Sequence, residues 1–210
     1  MKSVNPQGHP ALAIQLGATT PVPAEGAGAV VFSTVTSSLM TWDGAIWQAY
    51  SGVQYCCLTS AYTLTSQTAA QKLFNSSSLG QITLPVGLYE FECVFSLSGM
   101  SATSGSFGFA LGGTATFTQA WLAESSKNAL ATASNLQATF NTAANTTLYS
   151  ATAIATGFAR IRGVIRVTVA GTIVPQVSLT VAAAAIVGAN SWFKIAPLGS
   201  SGSANVGNWS

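Results

Sequence analysis

Charge is what this sequence has least of. Seven lysines and arginines and five acidic residues make up 6% of 210, where a soluble domain ordinarily carries about 25%. A monomer of this size exposes roughly 9,000 Å², thin cover for so few charged side chains. The surface must be built of Ser, Thr, Asn, Gln and Gly, or be covered by other subunits. The abundance of Ser and Thr supports the first, and a mean hydropathy of +0.44 supports the second. An oligomer is therefore expected. With a net charge of +2 and no basic run, nucleic acid is not the expected partner.

Long apolar runs are also missing. The longest, "VAAAAIVGA" at 181–189, is nine residues, far short of the roughly 20 that a membrane-spanning helix needs. The opening "MKSVNPQGHP" has no apolar stretch of the kind that a secretory leader carries. No membrane association is expected, and synthesis in a cytoplasm is.

Catalytic residue types are scarce. His9, the one histidine, sits between Gly8 and Pro10, and Asp43 is the one aspartate. A Ser-His-Asp triad needs its base held rigidly beside the nucleophile, and a proline-rich stretch is a poor place for that. Cys56, Cys57 and Cys93 fit neither a disulfide framework nor a metal-ligand spacing. They read as buried, reduced thiols. "ALGGTAT" (110–116) lacks the lysine of a phosphate loop and reads as a turn. No enzyme activity and no cofactor are expected.

What the chain does have is strands. "GLYEFECVFSLSG" (87–99) puts Tyr89, Phe91, Cys93, Phe95 and Leu97 on one face and Glu90 and Glu92 on the other. "SFGFALGG" (106–113) lines up Phe107, Phe109 and Leu111. "ARIRGVIRVTVAG" (159–171) sets Ile161, Ile165 and Val167 against Arg160, Arg162 and Arg166, and "IVPQVSLTV" (173–181) alternates likewise. Gly- and Ser-rich turns separate these runs, the pattern of an all-β antiparallel sandwich of jelly-roll type. Residues 125–147 read as long loop and strand.

The first 54 residues differ. Four of the seven prolines, Pro6, Pro10, Pro21 and Pro23, fall in residues 1–30 among short apolar pieces such as "ALAIQL". This composition cannot make a core but can lie extended on another surface. Residues 1–36 are expected to be a docking arm, with Leu12, Ile14 and Leu16 as its contacts. Residues 37–54 hold "LMTWDGAIWQ", where Asp43-Gly44 signals a two-residue hairpin loop. That loop pairs Trp42 with Ala45 and Met40 with Trp47, placing Met40, Trp42 and Trp47 on one face. A hairpin this small needs something to pack on, so these tryptophans read as packing at a junction rather than as a sugar platform. Residues 55–210 make up the sandwich.

Glu90 and Glu92, two apart on one strand face, have a spacing compatible with a glycosidase carboxylate pair. Arg160, Arg162 and Arg166 are spaced in the same way on another strand. If the two strands are neighbours, or meet across a subunit boundary, the five side chains form a charge ladder, which is the favoured reading.

"LMTWDGAIWQ" resembles a motif near the start of bacteriophage tail-fibre and head-fibre proteins. The stretches 84–116, 161–185 and "SWFKIAPLGSSGSANVGNW" (191–209) resemble the C-terminal domain of phage virion proteins. The resemblance implies a jelly roll like that of tumour necrosis factor, assembled as a homotrimer on a virion surface. Tail fibres of this kind carry a long shaft before the tip, and no heptad run occurs here. The expected function is a structural one: capsid decoration or head fibre, docked by residues 1–36 on the major capsid protein or another virion component. The alternative is a tail-fibre tip for host attachment that recognises a surface glycan.

Overall fold

In the computed structural model every regular element among the described residues is a β-strand, and the chain divides into two units, residues 1–54 and 55–210. The structure describes residues 13–15, 27–33, 38–42, 47–49, 52–74, 80–127, 137–141, 146–147 and 155–199.

The first unit is one four-stranded sheet: β1 (Ala13–Gln15), β2 (Val30–Ser33), β3 (Ser38–Trp42) and β4 (Trp47–Ala49), in that order. β1 runs parallel to β2, and the other pairs are antiparallel. The stretch expected to be an extended docking arm thus contributes strands to a sheet with the hairpin. Ile14 pairs with Phe32, while Leu12 and Leu16 lie outside the described residues. The hairpin register also differs from expectation. Trp42 pairs with Trp47 and Met40 with Ala49, so four residues, 43–46, separate the strands. Asp-Gly suits the type I turns of four-residue loops as well as the two-residue loop, so the dipeptide marks the turn without fixing the register. Asp43 and Gly44 themselves lie outside the described residues. Trp42 is buried, and Gly28 N donates to its carbonyl at 2.7 Å.

The second unit is a β-sandwich. Its strands are β5 (Gln54–Cys57), β6 (Tyr62–Thr63), β7 (Gln71–Lys72), β8 (Ile82–Leu84), β9 (Gly87–Ser98), β10 (Phe107–Gly113), β11 (Thr116–Lys127), β12 (Gln137–Asn141), β13 (Thr146–Thr147), β14 (Gly157–Val169), β15 (Gly171–Leu179), β16 (Ile186–Val187) and β17 (Trp192–Gly199). The larger sheet runs β12-β11-β14-β9, after which β9 pairs with both β17 and β16; β5 continues beyond β17, and β6 beyond β16. The smaller sheet runs β13-β10-β15-β7, with β8 also on β15. The chain changes sheet at each step β9→β10→β11 and again at β14→β15, so it winds around the core instead of meandering.

The core lies between the sheets. Phe95 of the larger sheet meets Phe107 and Phe109 of the smaller, with ring centroids 5.8 and 6.3 Å apart, and Phe109 meets Trp121 edge-on at 5.7 Å. The alternation read over 87–99 is the burial pattern of β9: Tyr89, Phe91, Cys93, Phe95 and Leu97 are buried. Strand β10 departs from it, because Gly108 and Ala110 are buried as well as Phe107, Phe109 and Leu111. Pro175 is held within β15 because its carbonyl accepts from Leu73 N at 3.0 Å on the side where β7 stops at Gln176 and β8 at Ile173. Its missing N–H falls in that gap, where no ladder bond is lost. "ALGGTAT" is the β10–β11 turn. Gly113 has φ +119° and approaches the Thr172 carbonyl so closely that no side chain fits.

The cysteines depart from expectation. All three are free, but only Cys93 is buried; Cys57 is exposed and Cys56 partly buried. Successive residues of a strand point to opposite faces, so adjacent cysteines on β5 cannot share one environment.

Candidate functional site

The outward face of the larger sheet gathers most of the unit's charge. In register, Arg162 of β14 stands between Glu92 of β9 and Leu122 of β11, and Lys194 of β17 stands on the far side of Glu92. One step along, Val164 stands between Glu90 and Ala120. One step the other way, Arg160 stands between Val94 and Glu124. Because the inward positions of these strands are filled by Phe91, Cys93, Ile161 and Ile165, alternation leaves the charged residues no face but the outer one.

The ion pairs are diagonal. Arg160 Nε donates to Glu92 Oε1 at 2.6 Å, with Nη2 2.6 Å from the same oxygen. Lys194 Nζ lies 3.6 Å from Glu92 Oε2. Arg162 turns away to β11, where its Nη2 is 3.9 Å from Glu124 Oε1, beyond hydrogen-bond reach. The Glu90 side chain makes no ion pair or hydrogen bond among the described residues.

Between these groups lies an open groove of about 450 Å³, lined by Glu90, Glu92, Arg160, Arg162 and Lys194 over a floor that includes Leu122, Gly163 and Val164. Gly163 makes the floor low. A Cβ there would collide with the Ala120 carbonyl and with Trp121, whose Cα would lie 2.6 Å away.

The structure thus brings Glu92 to Arg160 and leaves Glu90 apart. Arg166 stands opposite Leu88, on the same face and farther down the strand. Glu124 and Lys194 complete the network and were not singled out in the sequence. Neither alternates with other charges as Glu90 and Glu92 do, and only strand order shows what it meets. As a glycosidase pair, Glu90 and Glu92 are badly matched, since Glu92 is held by two cations. Burial pushes the Cys56 thiol up, and the Cys93 thiol, fully buried, well above its ordinary range. A thiol so held stays protonated and is a poor nucleophile. Among the described residues no three His, Cys, Asp or Glu side chains are grouped to hold a metal ion, and no helix is long and apolar enough to cross a membrane. Comparison with protein-family models, curated proteins and solved structures found no match to this chain.

Proposed function

We propose that this chain is a structural protein of a bacteriophage virion: a homotrimer on the capsid surface whose N-terminal residues dock on the major capsid protein or another virion component while the sandwich is displayed outward. The observation that carries this reading is the division at residue 54. A small sheet within a proline-rich segment forms one compact unit, and a sandwich with its own core forms the other, which suits one part for attachment and the other for display. The composition agrees. Twelve charged residues in 210 are few for a free monomer, and Tyr55, Val169 and Phe158 are exposed at 77%, 56% and 45%, surface that subunit contacts would cover. The reading is of a non-enzymatic protein.

Light scattering on the purified full-length chain tests it. A mass three times the 21.4 kDa of one chain is the expected result, and a monomer would overturn the assembly. A fragment of residues 55–210 that keeps the trimer places assembly in the sandwich and leaves residues 1–54 for docking. Docking is then read by co-sedimentation of the two forms with capsids, where only the full-length chain should bind.

A further inference from the structure

We infer that the groove on the outer face of the larger sheet is a binding site for a saccharide carrying a single carboxylate. The site is complete within one chain, since every lining residue belongs to one sandwich.

One ion pair that this face could form is not made. Arg160 and Glu92 are diagonal neighbours across β14 and β9, and they close to 2.6 Å. Arg162 and Glu90 stand in the same diagonal relationship one step along. There the pair stays open: Arg162 turns toward Glu124, stopping at 3.9 Å, and Glu90 takes no partner among the described residues. The groove occupies the opening. It therefore presents a guanidinium with no hydrogen-bonded carboxylate and a carboxylate with no cation, side by side.

The chemistry of the ligand follows from these two groups and the floor between them. A guanidinium fork matches a carboxylate in two parallel hydrogen bonds. The lining carries three cations and two carboxylates, a net +1. That balance suits a monoanion and resists a phosphate dianion, which Glu90 and Glu92 would repel. Glu90, an acceptor only, calls for donors such as vicinal hydroxyls. Leu122, Val164 and Ala120 give an aliphatic shelf on which the C–H face of a sugar ring can lie. The volume of about 450 Å³ is within the range of small-ligand sites, enough for one or two sugar rings. Glu92 is already neutralised by Arg160 and Lys194, so its part is to hold those cations in place along one wall.

The test uses isotope-labelled full-length protein, titrated with a uronic-acid disaccharide, with the neutral disaccharide of the same linkage, and with acetate. Saturable shifts of the amides of Glu90, Arg162, Gly163 and Val164 with the uronic-acid sugar are expected, with the neutral sugar at least tenfold weaker. Arg162→Gln should weaken binding at least tenfold and Glu90→Gln several-fold, both keeping the wild-type melting temperature because both side chains are exposed. Equal binding of the neutral sugar, unchanged affinity in Arg162→Gln, or no saturable shift would overturn the inference. Acetate binding as tightly as the sugar would overturn the saccharide part, leaving a bare anion site.

Discussion

Arg160 reaches past its register partner. The residue opposite it on β9 is Val94, yet its guanidinium is bonded to Glu92, which faces Arg162. The right-handed twist of neighbouring strands shortens one diagonal and lengthens the other, and Lys194 Nζ adds a second contact to the same carboxylate at 3.6 Å. Glu92 is the hub: its side chain is only 16% exposed, against 46% for Arg160 and 41% for Lys194. Glu92→Gln leaves Arg160 and Lys194 without the carboxylate they share and should cost about 1–2 kcal/mol at low ionic strength, less at high salt. Urea midpoints at two salt concentrations check this. Equal midpoints for wild type and variant at low salt would show that the network contributes nothing.

Gly163 should tolerate no side chain. A Cβ at this position would strike the Ala120 carbonyl and the backbone of Trp121, neither of which can swing aside as the end of a long side chain could. The gain from a stiffer unfolded chain is below about 1 kcal/mol, so the clash decides the sign. Gly163→Val should destabilise by about 2–3 kcal/mol and shift the tryptophan fluorescence of the folded state, because Trp121 must move. A urea midpoint within error of wild type would contradict the close approach.

Much of this face was legible in the sequence, and the reason is local. Glu90 and Glu92 alternate with Phe91 and Cys93, and Arg160 and Arg162 with Ile161, so each strand declares its own outer side without knowledge of its neighbour. The all-β class was legible for the same reason. What alternation cannot supply is partnership. That Arg162 would turn to Glu124 and leave Glu90 open depends on β11 lying beside β14, a contact between residues far apart in the chain. The hairpin shows a different limit: Asp43-Gly44 marks a turn, but two loop lengths suit it, and the structure pairs Trp42 with Trp47. Strands of three or four residues such as β1 and β2 are too short to show a period, so their parallel pairing in one sheet was hidden among prolines and glycines. In β10, Gly108 and Ala110 look like gaps in an alternating pattern and are in fact buried positions on the second face.

Phe109 joins two rings of the larger sheet, edge-on to Trp121 and stacked with Phe95. It is fully buried, and the rings it touches are buried too. Phe109→Ala should cost about 3–5 kcal/mol through lost transfer energy and the cavity left behind, and Phe109→Leu about 1–2 kcal/mol as the cavity is partly filled. Denaturant midpoints of the two variants order them. A leucine variant as unstable as the alanine variant would mean that ring geometry, not filled volume, dominates here.

Cys93 gives the sandwich an alkaline weakness. Burial among Phe91, Ile161 and Phe193 pushes its thiol well above the ordinary value of 9.0, with smaller contributions from Cys56 and Glu92. The folded protein therefore keeps a proton that the unfolded chain releases once pH passes that value. Below about pH 9 both states hold the proton and stability is unaffected. Above it the unfolded state binds fewer protons, so stability falls as pH rises, by at most about 1.4 kcal/mol per pH unit for this one group. Cys56, raised in the same direction by partial burial, adds to the slope. Cys93→Ala lowers stability at neutral pH through the cavity it leaves, yet its curve should be flatter between about pH 9 and pH 11. Urea midpoints of wild type and variant across that interval decide the matter: converging curves show that the buried thiol carries the alkaline loss, and parallel curves show that it does not.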